Sequence, residues 1–252
     1  MGQRSKRRAQ FRRIPLLAAF LTVLLVPERN GASDGPNLQS ALRKQNLDLP
    51  YDAGSFSGEA EDEASQVHAF YGQSYEADAI AFALDKSGSM DNRSRWQIQT
   101  REVAKSLREM TARAEFGIVY YGSDVRRFKG RPVKANPGNK TAGVAYVKSE
   151  RPQGDTCIAE GVVEALRIVR MAESNHRAVI VTSDGRPDVC ATGNLATGTQ
   201  IQRLLQKTLA ANPGGKVRVH TIYVGSDTNR EAVSFLRRLA LAHSGTFRMA
   251  SR

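Results

Sequence analysis

The chain has few of the residues that carry most enzyme chemistry. Its four histidines, His68, His176, His220 and His243, fall in a spacer edge, a loop, a strand and a helix end. That is not ligand spacing, so core or surface histidines are expected. No Walker loop is present, and no strong nucleophile stands with a base. Lys and Arg number 37 against 25 Asp and Glu, yet they are dispersed without stacking aromatics or a recognised nucleic-acid motif, which argues against specific nucleic-acid binding. There are only two cysteines. The longest N-terminal apolar run, Ile14 to Val26, is short for a membrane span.

What the chain does have is concentrated between Ala79 and Met90, which reads AIAFALDKSGSM. Ala79 to Leu84 is uninterrupted apolar sequence, expected as a strand buried on both faces in a parallel sheet. It ends in Asp85, Ser87 and Ser89 at every second position, and Gly88 lets the loop turn tightly. Three converging oxygen side chains suit a hard divalent cation. A second apolar run, Ala178 to Val181, ends in Thr182-Ser183-Asp184-Gly185, putting another carboxylate at a strand end, where open α/β sheets bind ligands. Between them Gly154-Asp155-Thr156 precedes an amphipathic helix. Asp85-x-Ser87-x-Ser89, then Thr156, then Asp184, each at a strand-to-helix loop, resembles the metal-ion-dependent adhesion site of von Willebrand factor A domains.

The 252 residues suffice for one full-sized core with an N-terminal extension. Residues 1–32 are expected to be a signal peptide or signal anchor, with Arg4, Lys6, Arg7, Arg8, Arg12 and Arg13 ahead of the apolar run. Cleavage near Ala32 would export the chain to the periplasm, the cell surface or the medium; without cleavage the segment would be a membrane anchor. Residues 33–66, rich in Gly, Ser, Asp and Glu with an acidic run from Glu59 to Glu63, read as a flexible acidic spacer. Residues 67–252 form the folded domain. It is basic, so an acidic surface is a possible partner. Arg126-Arg127-Phe128-Lys129 with Arg131 is expected to be a solvated strand edge guarded by charge.

Within the domain, Val67 to Tyr71 is expected as a short strand. Arg95 to Met110 repeats apolar residues at helical spacing through Trp96, Val103 and Leu107. Glu115 to Tyr121 is the next strand, with Val125 to Phe128 as a hairpin partner. Arg131 to Lys140 reads as loop, Thr141 to Lys148 as a short helix, Ile158 to Met171 as a longer one, and Arg186 to Gly198 as a polar loop. Capping boxes at Thr199 with Gln202 and Thr228 with Glu231 open the last two helices, around a strand from Val217 to Val224. Thr246 to Ala250 closes the sheet, giving an α/β domain.

From about Ala79 to Met249 this order of elements is similar to a von Willebrand factor A domain, and the loop and final Gly-Thr-Phe strand to bacterial secreted members. The resemblance implies a Rossmann-like fold, with a mostly parallel central sheet, one antiparallel edge strand and helices on both faces. It implies Mg²⁺ or Mn²⁺ held by Ser87, Ser89 and Thr156 through hydroxyls, with Asp85 and Asp184 close by, often through water. A cation with few direct carboxylates stays electrophilic, so a Glu or Asp of a partner protein could complete its shell. Asp91, Asp124, Asp155 and Arg186 then stand as candidate partner contacts, with Asp155 replacing the usual Gly or Asn, and Lys86 facing solvent or an acidic partner. If both loops meet at one metal, Cys157 and Cys190 come close, and in an oxidising compartment a disulfide is expected; two free, partly buried thiols are the alternative. Other readings are a metal-dependent hydrolase or phosphotransferase, against which Ser87 stands where a second Asp is needed, and an accessory subunit of an ATPase-driven complex, against which the export signal argues.

Overall fold

In the computed structural model of the chain, residues 65–250 are described, apart from 191 and 226–228. The signal segment, nearly all of the acidic spacer and the Thr228 capping residue lie outside the described residues. The domain opens with a hairpin of β1 (Val67–Phe70) and β2 (Gln73–Glu76). Tyr71 and Gly72 join them at φ 49° and 70°, the two left-handed residues that a tight hairpin turn requires. The central sheet begins with β3 (Ala79–Asp85), followed by a 3-10 turn over Gly88–Ser94 and helix α1 (Arg95–Glu109). Then come β4 (Glu115–Tyr121), β5 (Val125–Arg127), β6 (Val133–Lys134), α2 (Pro137–Ser149), α3 (Ile158–Val169) and β7 (Arg177–Ser183). The chain finishes with the small hairpin β8 (Asp188–Val189) and β9 (Asn194–Leu195), then α4 (Gly198–Ala210), β10 (Val217–Tyr223), α5 (Arg230–Ala242) and β11 (Phe247–Met249).

The sheet runs in the order β11-β10-β7-β3-β4-β5, with β6 also on β4. All pairs are parallel except those of β5 and β6 with β4. The fold is the expected Rossmann-like one.

Strand alternation gives the two faces different side chains. Ala79, Ala81 and Ala83 of β3 join one core with α3, α4 and α5, while Ile80, Phe82 and Leu84 join the other with α1, α2 and the hairpin tyrosines. Alanines on the first face let α3 lie close. Gly161 of that helix carries the contact: a Cβ there would stand 2.4 Å from the Tyr121 ring, nearer than any side chain can pack.

Local differences from the sequence reading have identifiable causes. Helix α2 begins four residues earlier than expected, because Asn136 caps it through Asn139 N–H at 2.9 Å and Pro137 takes the first turn, where its missing N–H costs nothing. The capping box of α4 is Thr197 with Gln200 rather than Thr199 with Gln202; Gln200 Oε1 accepts the Thr197 N–H at 3.1 Å. Part of the expected loop from Arg131 to Lys140 is the strand β6, and the polar Arg186–Gly198 segment holds β8 and β9. On β5, Arg126 and Arg127 are exposed and ion-paired with Asp124 and Glu164.

Candidate metal centre

β3 and β7 lie side by side, with Leu84 opposite Thr182. From β3 the chain moves outward to β4, and from β7 it moves the other way to β10. The strand order therefore reverses between them, and their loops diverge to leave a crevice at the C-terminal edge.

Asp85 closes β3 and is fully buried. Its Oδ1 accepts the Ser87 N–H at 2.7 Å, and its Oδ2 accepts the Ser183 hydroxyl at 2.6 Å. The Ser87 and Ser89 hydroxyls lie 3.1 Å apart, and Ser89 donates to Asp184 Oδ1 at 2.7 Å. The third loop is tied in by Gly88 N–H on the Gly154 carbonyl, 3.0 Å. Gly154 sits at φ 82°, and a Cβ there would be 2.5 Å from Ser123 Oγ, so the turn admits only glycine. Thr156 is held at both backbone groups by Asp188, whose Oδ2 accepts its N–H at 2.7 Å and whose N–H donates to its carbonyl at 3.0 Å. Thr156 Oγ1 and Ser89 Oγ lie 3.2 and 3.9 Å from the point a Cβ on Gly185 would occupy. Asp85, Ser87, Ser89, Thr156 and Asp184 thus share one small space, with Ser89 at its exposed mouth.

The electrostatics are those of carboxylates crowded away from water. Burial first, and then the charge of Asp184, push the Asp85 carboxyl up to about 7, against the hydrogen bonds from Ser183 and Ser87. The first residue of α1, Arg95, sets its buried guanidinium on Asp184 Oδ2. Lys86 is a correction to the sequence reading. It faces neither solvent nor a partner; it is fully buried, with Nζ 2.6 Å from Asp124 Oδ1. Asp124, bonded by Lys86 and by Arg126, is held below the usual carboxylate range. Gln99 joins the two strands: its Nε2 donates to the Asp85 carbonyl at 2.9 Å and its Oε1 accepts the Thr182 hydroxyl at 2.5 Å.

Of the candidate partner contacts, Asp91 is exposed beside the mouth. Asp155 turns to Ser123, whose hydroxyl donates to its Oδ2 at 2.9 Å. Arg186 pairs with Glu231 of α5. Cys157 and Cys190 are joined in a disulfide that spans the Thr156 and Asp188 loops. Glu160 lies beside these sulfurs, but bonded to each other they offer no thiolate to a metal. Sequence reasoning missed Ser183, Asp188, Arg95 and Gln99. Only Ser183 had a local signal, standing directly before Asp184.

The donor set of two carboxylates and three hydroxyls fits a hard divalent cation such as Mg²⁺, with no nitrogen or sulfur ligand among them. Residues 80–186 match the family model of the von Willebrand factor type A domain. The fold is that of a von Willebrand factor type A domain. Over 174 residues it is 27% identical to human inter-alpha-trypsin inhibitor heavy chain H3, covering 66% of this chain and 18% of that protein. The rat H3 chain is 29% identical over 167 residues, again 66% and 18%. The chain therefore spans under a fifth of the length of the curated relatives it matches. Among solved structures, a von Willebrand factor type A protein from Catenulispora acidiphila superposes with TM-score 0.59 at 21% identity, covering 71% of this chain and 40% of that one. The von Willebrand domain of the type V pili tip protein Mfa5 from Porphyromonas gingivalis gives 0.56 at 11%, covering 68% and 89%. At such identities the structural likeness establishes the fold.

Proposed function

We propose that this von Willebrand domain is an exported protein-binding module. A divalent cation, Mg²⁺ or Mn²⁺, is held at the β3/β7 crevice by Ser87, Ser89 and Thr156 with Asp85 and Asp184, and a Glu or Asp of the partner protein completes its shell. The observation that carries this reading is the convergence of these five side chains from three separate loops into one space. A bound cation would supply positive charge between two buried carboxylates and an electrophilic position for a third. The chain's own residues orient the donors: Ser183 and the Ser87 N–H fix Asp85, Asp188 fixes Thr156, and Arg95 and Ser89 fix Asp184.

The structural neighbour named as a pili tip protein supports an adhesive role, and the disulfide supports export. The test is calorimetric titration of Mg²⁺ and Mn²⁺ into the chelator-stripped full chain. One saturable site is expected, lost in Asp184→Ala. No heat beyond dilution with either ion would overturn the metal reading.

A further inference from the structure

A groove of about 550 Å³ opens next to Asp91 and runs down α1. Its apolar lining is Trp96, packed on the Tyr120 ring at 5.4 Å, and the buried Ala104, with Gln97 and Thr100 between them. Pro152 closes one side. The rim is cationic, with Arg101 and Arg108 from α1, Lys148 from α2 and Arg151 just beyond it, all exposed. Arg101 lies 3.6 Å from Glu102. Arg151 donates to the Lys148 and Glu150 carbonyls at 2.9 and 3.0 Å. Among the described residues, no carboxylate lies within ion-pair distance of Arg108, Lys148 or Arg151, and Asp91 is the only acid on the lining.

We propose that this groove docks an acidic peptide segment of the same partner whose carboxylate reaches the metal. The proposal rests on the metal-bridged reading for its register but not for its chemistry. Charge complementarity selects an anion, since among the described residues three cations of one rim have no carboxylate within ion-pair distance. Continuity selects a peptide: the groove begins at the turn that carries Ser89, so a chain leaving the cation enters it directly. The apolar lining would take aliphatic side chains between the acids, whereas a mostly covered Trp96, 7% exposed, offers no platform for a stacked base. From Trp96 to Arg108 the helix advances about 18 Å, the length of five or six extended residues.

The test uses the full chain in saturating Mg²⁺ and a fluorescein-labelled peptide of four Glu-Leu repeats, followed by fluorescence anisotropy. Combined Arg108→Gln, Lys148→Gln and Arg151→Gln should weaken binding at least ~10-fold and flatten its salt dependence, with the melting temperature and Mg²⁺ affinity unchanged. Peptide binding that is lost in this variant while Mg²⁺ fails to bind would uphold the groove and remove the metal reading. Equal peptide binding by wild type and variant would overturn the groove, as would no peptide binding in a chain that takes Mg²⁺. So would stronger competition by the polyuronate alginate than by unlabelled peptide, which would assign the groove to polysaccharide. Peptide binding seen only after Glu59, Glu61, Asp62 and Glu63 are changed to Gln would assign it to the chain's own acidic stretch, and would overturn it too.

Discussion

The two ends of the central sheet bury charge to different extents, Glu115 being the buried acid of the N-terminal end. At the C-terminal edge Asp85, Lys86, Arg95, Asp184 and Asp188 are all under 10% exposed. At the N-terminal edge Asp78 is a quarter exposed, accepting the Ser174 hydroxyl at 2.8 Å and the Gln66 N–H at 3.1 Å. There Lys134 and Glu173 meet at 2.8 Å in open solvent. Burying ionised groups costs several kcal/mol each before partners offset it, and apolar residues of similar volume would stabilise such an edge as well or better. Concentrating that cost at one end, where three loops bring hydroxyls to the same carboxylates, is what the proposed binding site requires and what folding alone does not.

The largest effect should come from breaking the costly end. Asp184→Ala removes a proposed metal donor and the Asp184 carboxylate on which the buried Arg95 guanidinium rests. It should abolish cation binding and lower metal-free stability by about 3–5 kcal/mol in urea unfolding. The matched change at the other end, Asp78→Ala, should cost only about 1 kcal/mol by the same measurement.

Next is the buried histidine between the sheet and its hairpin. His220 packs against Tyr75 at 4.9 Å, and its Nδ1 accepts the Thr246 N–H at 3.2 Å. Burial first, then Arg218, bring its pKa down to about 4. The unfolded chain takes up this proton near pH 6.5 and the folded one does not until about 4, so stability should fall as pH drops through that window. The loss would be up to about 3 kcal/mol, read as a melting temperature that falls between pH 7 and pH 4.5 and falls less in His220→Gln.

Gly161→Ala should be destabilising by about 1–3 kcal/mol, although alanine favours helix by about 1 kcal/mol, because its methyl meets the Tyr121 ring. Smallest is the exposed pair: Lys134→Ala should change unfolding free energy by under about 1 kcal/mol. A larger loss there than in Asp78→Ala would blur the contrast between the ends.

Much of this was legible from local sequence. The apolar run from Ala79 and the strand Glu115–Tyr121 are found where they were expected, since uninterrupted apolar residues bounded by charge have few alternatives in an α/β chain. The alternation Asp85, Ser87, Ser89 and the glycines around it marked the first loop because the side chains that converge are neighbours in sequence. Lys86 could not be placed that way. Its burial depends on Asp124, which reaches it across the β3–β4 pairing, and a lysine beside an aspartate in a loop ordinarily reads as solvated. Arg95 on Asp184 and Asp188 on Thr156 are likewise contacts between distant segments, invisible to spacing. Pro137-Gly138 read as loop because proline breaks helices from within, whereas here it begins one.

The central claim is that the crevice presents a cation to an outside carboxylate. Its most direct measurement is electron–nuclear double resonance on the Mn²⁺-loaded full chain with carbon-13 carboxyl-labelled acetate as the probe. The account predicts a resolved carbon-13 coupling from acetate bound to the Mn²⁺, displaced by a Glu-containing peptide. Mn²⁺ held at the site with no carbon-13 coupling at saturating acetate would contradict it.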